Sequence, residues 1–189
     1  MNQADKNLQS AAHGWEVSPE KGTIPFQLSD FIERVIGPMQ LEITESPARE
    51  TENLEYGGTS LSIKGKKILF RVAKTTPTKT GQFVALYKRS ISSLKIIPID
   101  AEDNIDYIFI AAFNQDYNGI FIFDKEILIK KGIYSKDQKG GKLSFRVYAT
   151  WADTIAAQAK QTQIWQCKYF IPLYPITNEF FKQFERLFL

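Results

Sequence analysis

Apolar positions recur on two different periods along this chain, and the change of period divides it. Leu28, Phe31, Ile32, Val35 and Ile36 fall three and four residues apart and so share one face of a helix. Ser29 or Asp30 is placed to cap that helix, and Gly37-Pro38 stops it. From Thr59 the texture becomes short runs of β-branched and aromatic residues: TSLSIK, KKILFRVAK beyond a turn at Gly65-Lys66, and GQFVALYKR. These runs predict a meander of three strands. DYIFIAAF (106–113) and GIFIFD (119–124) predict a further pair around a turn containing Asn114, Asp116 and Asn118. KEILIKKGI (125–133) fits a short helix or a strand equally well. After Gly140-Gly141, LSFRVYATW predicts another strand, and Asp153 stands where it can cap a helix reaching about Phe170. The polar stretch from Thr44 to Asn53 reads as a connection or a short exposed helix. Residues 1 to about 25 show no period and read as a loosely docked segment, and residues 174–189 as a tail whose role the pattern leaves open. The order helix, strands, helix gives an α+β (mixed α/β) domain, with its sheet sandwiched or covered on one side.

Length and composition narrow the class. A chain of 189 residues with 43% hydrophobic and 13% aromatic content is read as a single domain, residues 1–189, able to bury a core of its own. The single cysteine, Cys167, leaves no internal disulfide or cysteine-based zinc site and points to the cytoplasm. The first fifteen residues lack a basic start followed by an apolar stretch, and no apolar run approaches the roughly 20 residues that span a bilayer, so neither secretion nor membrane insertion is expected. With His13 the only histidine, His-dependent triads and two-His metal sites are excluded. GGTSLSIKGKK fails as a phosphate-binding loop because Ser60 stands where glycine is required and Lys67 where a hydroxyl is required. Asp100, Glu102, Asp103 and Asp106 lack the spacing and the bend glycine of a calcium loop. No cofactor is expected.

Charge changes the picture more than any of these. Residues 1–55 hold 4 basic and 10 acidic side chains, whereas residues 56–99 hold 9 basic and none acidic. The sign then reverses: residues 100–129 hold 1 basic and 7 acidic, and residues 130–189 hold 10 basic and 4 acidic. A one-signed block of this size either solubilises strand edges or attracts a polyanion, and nucleic acid is the leading partner.

Within the block, Phe70 to Arg89 reads FRVAKTTPTKTGQFVALYKR, with Thr75-Thr76-Pro77-Thr78-Lys79-Thr80-Gly81 placing hydroxyls and a lysine between two basic strands. This stretch resembles the MepB-like family. EYGG at Glu55 to Gly58, FRVYATW at Phe145 to Trp151 and TQIWQCKYF at Thr162 to Phe170 match in the family's order, so that the similar core covers about residues 30–173. The sequence departs from the family at Tyr87, where tryptophan is usual, at Ala149-Thr150, where a double proline is usual, and at Asp124, where proline is usual. The resemblance implies a central mixed β-sheet flanked by helices, similar to the PD-(D/E)XK nucleases, nucleic-acid binding without an intact nuclease site, and an association with bacterial drug-resistance operons.

Such nucleases place an acid near the end of one strand and an acid-x-Lys on the next, so that carboxylates hold Mg²⁺ and the lysine supports the attacking water. Read on the third strand, Lys88 keeps the lysine place and Leu86 replaces the acid, while Lys66 to Gly81 contains no carboxylate. Non-catalytic binding of RNA or single-stranded DNA, in preference to duplex, is therefore expected. A metal-dependent nuclease and a regulator that binds a small molecule or a protein are the alternatives. The expected phosphate contacts are Arg71, Lys74, Lys79, Lys88, Arg89 and Arg146, with neutral hydrogen bonds from Thr76, Thr78 and Gln82. Tyr87, Tyr148 and Trp151 are either stacking platforms or core, and Arg71 is either a phosphate contact or a partly buried ion-pair partner of an acid from the first helix.

Overall fold

In the computed structural model, which describes residues 17–18 and 22–189, the chain begins with β1 (Val17–Ser18), β2 (Gly22–Thr23) and α1 (Phe26–Phe31), which continues as a π-turn over Ile32–Ile36. Then follow β3 (Ile43–Arg49), β4 (Thr59–Ile63), β5 (Lys66–Val72), β6 (Lys74–Thr76), β7 (Lys79–Ala85), β8 (Lys88–Arg89) and β9 (Ile96–Ile97). The rest comprises β10 (Tyr107–Phe113), β11 (Asn118–Asp124), α2 (Lys125–Lys130), β12 (Ser144–Val147), α3 (Ala157–Gln166), β13 (Phe170–Pro172) and α4 (Asn178–Phe188).

Six strands form a central mixed sheet in the order β13-β11-β10-β5-β4-β3, in which only β10 and β5 run parallel. The unbroken apolar sequences of β10 and β11 follow from burial on both faces. On one face, Ile68, Phe70, Phe109 and Ala111 pack against α1 and α4. On the other, Leu69, Ile108, Ile110 and Phe123 meet Val84, Phe145 and Val147 from a second sheet, β12-β7-β6, together with Ile127 and Leu128 of α2. The sheet is thus sandwiched.

Several expectations change. The first helix starts at Phe26, with Pro25 at its cap position rather than Ser29 or Asp30. Asp30 instead accepts from Arg34 Nε at 2.6 Å and from the Tyr174 hydroxyl at 3.0 Å. The polar stretch from Thr44 is β3, an edge strand whose register slips twice against β4. The three-strand meander does not form: β4 and β5 make a hairpin around Lys64-Gly65, both at positive φ, while β7 leaves the central sheet to pair with β6 and β12. KEILIKKGI resolves as a helix because Asp124 Oδ1 accepts from the Ile127 amide at 2.7 Å. Asp153 caps nothing, since α3 begins after Ala156 without a side-chain cap. The C-terminal tail is α4, whose Phe180, Phe184 and Phe188 line one buried stripe. Of the loosely docked segment, residues 1–16 and 19–21 lie outside the described residues. No described helix is long and apolar enough to cross a membrane.

Candidate nucleic-acid interface

The acid-free block does not stay acid-free once folded. Alternation along β5 sends Phe70 to one core layer and Arg71 to the other, where Arg71 is fully buried. Its Nη2 lies 2.6 Å from Glu50 Oε2, and its Nη1 donates to the Phe70 carbonyl at 2.8 Å. Burial pulls the pKa of this guanidinium down, and Glu50 opposes that effect. Arg71 is therefore an ion-pair residue, and its acid comes from the end of edge strand β3 rather than from the first helix. Arg89 forms a fork with Glu52, at 2.7 and 3.2 Å, which lowers the Glu52 pKa. Lys88 pairs with Asp103, and Lys74 lies 3.6 Å from Glu55 and over the Tyr56 ring. Four of the expected phosphate contacts thus already hold carboxylates.

The neutral contacts divide in the same way. Gln82 is buried, its Nε2 donating to Thr75 Oγ1 at 3.1 Å and to the Phe113 carbonyl at 2.8 Å, so that it ties β7 to the end of β10. Trp151 stacks on Tyr117, with centroids 5.7 Å apart, and meets Phe170 edge-on, as packing rather than an open platform. Thr78 and Lys79 stand exposed at the β6–β7 turn. Arg146 on β12 donates to Thr76 Oγ1, to the Lys79 carbonyl at 2.8 Å and to the Thr80 carbonyl at 3.1 Å, and so fixes that turn.

Strand topology also moves the comparison with the nuclease pattern. The acid-x-Lys strand is expected beside its partner within one sheet, and in the central sheet β4 is flanked by β5 and β3. On β5, Leu69 lies opposite Ser60 of β4 and two residues before Arg71, whereas Leu86 and Lys88 follow β7, outside that sheet. Ser60, Leu69 and Arg71 line one cleft of about 580 Å³. Among the described residues, no group of three or more potential metal-ligating side chains converges.

A different surface keeps its cations unpaired. Lys131, Lys142 and Arg146 line a groove of about 470 Å³ between β12 and α3, and Lys79 and Arg146 line an adjoining one of about 280 Å³. No carboxylate lines either groove, and none of these four cations has an ion pair among the described residues. Gln166, fully buried on α3, accepts from the Tyr148 amide at 2.8 Å and donates to the Arg146 carbonyl at 3.0 Å, pinning β12 beside the helix. Gly81 lets the Tyr148 ring approach β7 closely: at φ +76°, a Cβ there would sit 2.5 Å from the ring. Trp165 borders the groove with Lys131 Nζ 5.1 Å from its ring centre. Lys131, Lys142 and Trp165 were not singled out by the sequence; the available signal was the excess of basic residues after residue 130.

Comparison with known proteins adds two matches. A family model described as MepB-like matches residues 50–172. A solved structure described as the crystal structure of MepB is 34% identical, with a TM-score of 0.67, covering 70% of this chain and 88% of that one. A search of curated proteins gives no match.

Proposed function

This chain belongs to the MepB-like family, and on that premise we propose that it is a non-catalytic nucleic-acid-binding protein whose contact surface is the β12–α3 groove. The observation that carries this reading is the set of four cations, Lys79, Lys131, Lys142 and Arg146, on two adjoining grooves without a lining carboxylate. Each phosphate such a side chain neutralises releases condensed counterions. Tyr148 borders the same groove, and its half-buried ring is the aromatic surface there for stacking on an unpaired base, which favours RNA or single-stranded DNA over duplex. The proposed contacts shift accordingly from Arg71, Lys74, Lys88 and Arg89 to the groove, keeping Lys79 and Arg146.

The absence of catalysis is supported by the cleft at Ser60, Leu69 and Arg71. The acids of this cleft, Glu50, Glu52 and Asp103, are each engaged by a cation, and Ser60 and Leu69 beside them offer no carboxylate to Mg²⁺. The role falls to a protein that binds a strand and leaves it intact.

Fluorescence anisotropy with labelled RNA, single-stranded DNA and duplex of equal length tests this reading. Lys131→Glu combined with Lys142→Glu is expected to weaken single-strand binding by roughly tenfold or more, since two phosphate contacts are lost and repulsion is added. Lys88→Ala is expected to leave it unchanged. Equal affinities in all three proteins, or Mg²⁺-dependent cleavage of the probe by the wild-type chain, would overturn the proposal.

A further inference from the structure

Exposed aromatic side chains are confined to one place on this molecule. Among the described residues, Phe26, Phe113, Tyr117 and Tyr174 are the four aromatic residues open to solvent, at 75%, 40%, 58% and 45% exposure, and all four line one pocket of about 360 Å³. It lies where the start of α1, the β10–β11 turn and the chain leaving β13 meet. Apolar surface gathered in this way and rimmed by polar groups marks a binding site. Its walls are held in place: Asn114 Oδ1 accepts from the Asp116 and Tyr117 amides at 3.0 and 2.7 Å and sets the turn, while Asp30 Oδ2 accepts from the Tyr174 hydroxyl and keeps that ring beside α1.

The charge of the pocket has one sign. Asp30 and Asp116 line it, and no lysine or arginine does. Asp30 is neutralised by Arg34, 2.6 Å away, whereas the Asp116 carboxylate has no ion pair among the described residues. Arg34 also lies 5.2 Å from the centre of the Tyr174 ring, so a cation already rests on one of these rings beside a carboxylate. What remains is one uncompensated negative charge among aromatic faces.

We infer that this pocket binds a small organic monocation of the substituted-ammonium class, separately from the β12–α3 groove. The negative face of each ring attracts a positive charge, and alkyl groups on that charge replace water against the rings at little cost, which a hydrated metal ion cannot do. Phe26 and Phe113 have no ring partner among the described residues, and Trp151 stacks on one face of Tyr117 while the residue stays exposed. The pocket is of a size that takes small molecules. The Asp116 carboxylate repels the phosphates that the groove attracts, so the two sites sort their ligands by charge.

Calorimetric titration with benzyltrimethylammonium tests the site, beside benzyl alcohol as a ring without charge and ammonium chloride as a charge without carbon. The quaternary cation is expected to bind saturably with Kd below about 1 mM, and about tenfold or more tightly than either control. Phe26→Leu keeps apolar bulk but removes the aromatic face, and should weaken binding by about two- to fivefold, whereas Phe26→Tyr should retain it. Asp116→Asn should weaken it by about threefold, and the two losses combined by about tenfold. Both side chains are exposed, so these variants leave the core untouched. Lys131→Ala with Lys142→Ala should not change cation binding, so that this inference and the groove reading fail separately. No saturable binding, a control bound as tightly as the quaternary cation, an unchanged affinity in the Phe26→Leu and Asp116→Asn double variant, or a loss in the groove variant would each overturn it.

Discussion

Arg71 carries its charge without solvent contact and depends on Glu50 and the Phe70 carbonyl to do so. The two members of the pair are not equivalent. Removing Glu50 strands a buried guanidinium, whereas removing Arg71 leaves a carboxylate that retains some solvent. Glu50→Ala is therefore expected to cost about 3–5 kcal/mol in urea unfolding, and Arg71→Met distinctly less, because methionine fills the apolar volume. Equal losses would show that the pair is better solvated than its geometry implies. The alternation of β5 made a buried Arg71 legible, since Leu69 and Ala73 share its face and both are core. Its partner was not legible, because Glu50 lies 21 residues away, inside a polar stretch that shows no period. At the scale of single residues, a run of like charges records only what is near in sequence, while neutralisation is decided by what folds alongside.

Strands with one or two buried faces could be read, and the polar edge strand could not. The two apolar runs of β10 and β11 and the hairpin of β4 and β5 announce themselves, because burial on one or both faces fixes their composition. β3 is polar, contains Pro47 and slips register twice, all consistent with an edge position that tolerates a missing donor. α4 shows the opposite failure: NEFFKQFERLF has a clear helical stripe, but it follows Pro175 in a tail with no counterpart in the family motifs. The groove wall depends on a finer element property, the close approach of β7 to β12 at Gly81. Gly81→Ala imposes a strained φ and drives a methyl into Tyr148, so it is expected to destabilise by about 1–3 kcal/mol and to weaken single-strand binding, as read by thermal melting and anisotropy together. A variant of wild-type stability would mean that β7 and β12 can separate there without consequence.

Over the whole molecule, the charge blocks of the sequence sort into two surfaces of different kind. The 56–99 block meets carboxylates of the 50–55 segment and of the loop after β9, and four of its nine cations, Arg71, Lys74, Lys88 and Arg89, are paired within the protein. The basic excess beyond residue 130 has few acids of its own, and with Lys79 it forms the face that remains available to a polyanion. Salt dependence separates these two roles without reference to any particular target, because only phosphate contacts release counterions. Four groove contacts predict a slope of log K against log[salt] near about −2.8 on single strands, at about −0.7 per contact. Lys131→Ala with Lys142→Ala should flatten it to about −1.4, since two contacts remain. Lys88→Ala with Arg89→Ala should leave the slope where it was, although it removes the same formal charge. If both pairs flattened the line equally, net charge rather than the groove would govern binding, and the sorting of the blocks into an internal and an outward-facing set would have no functional consequence.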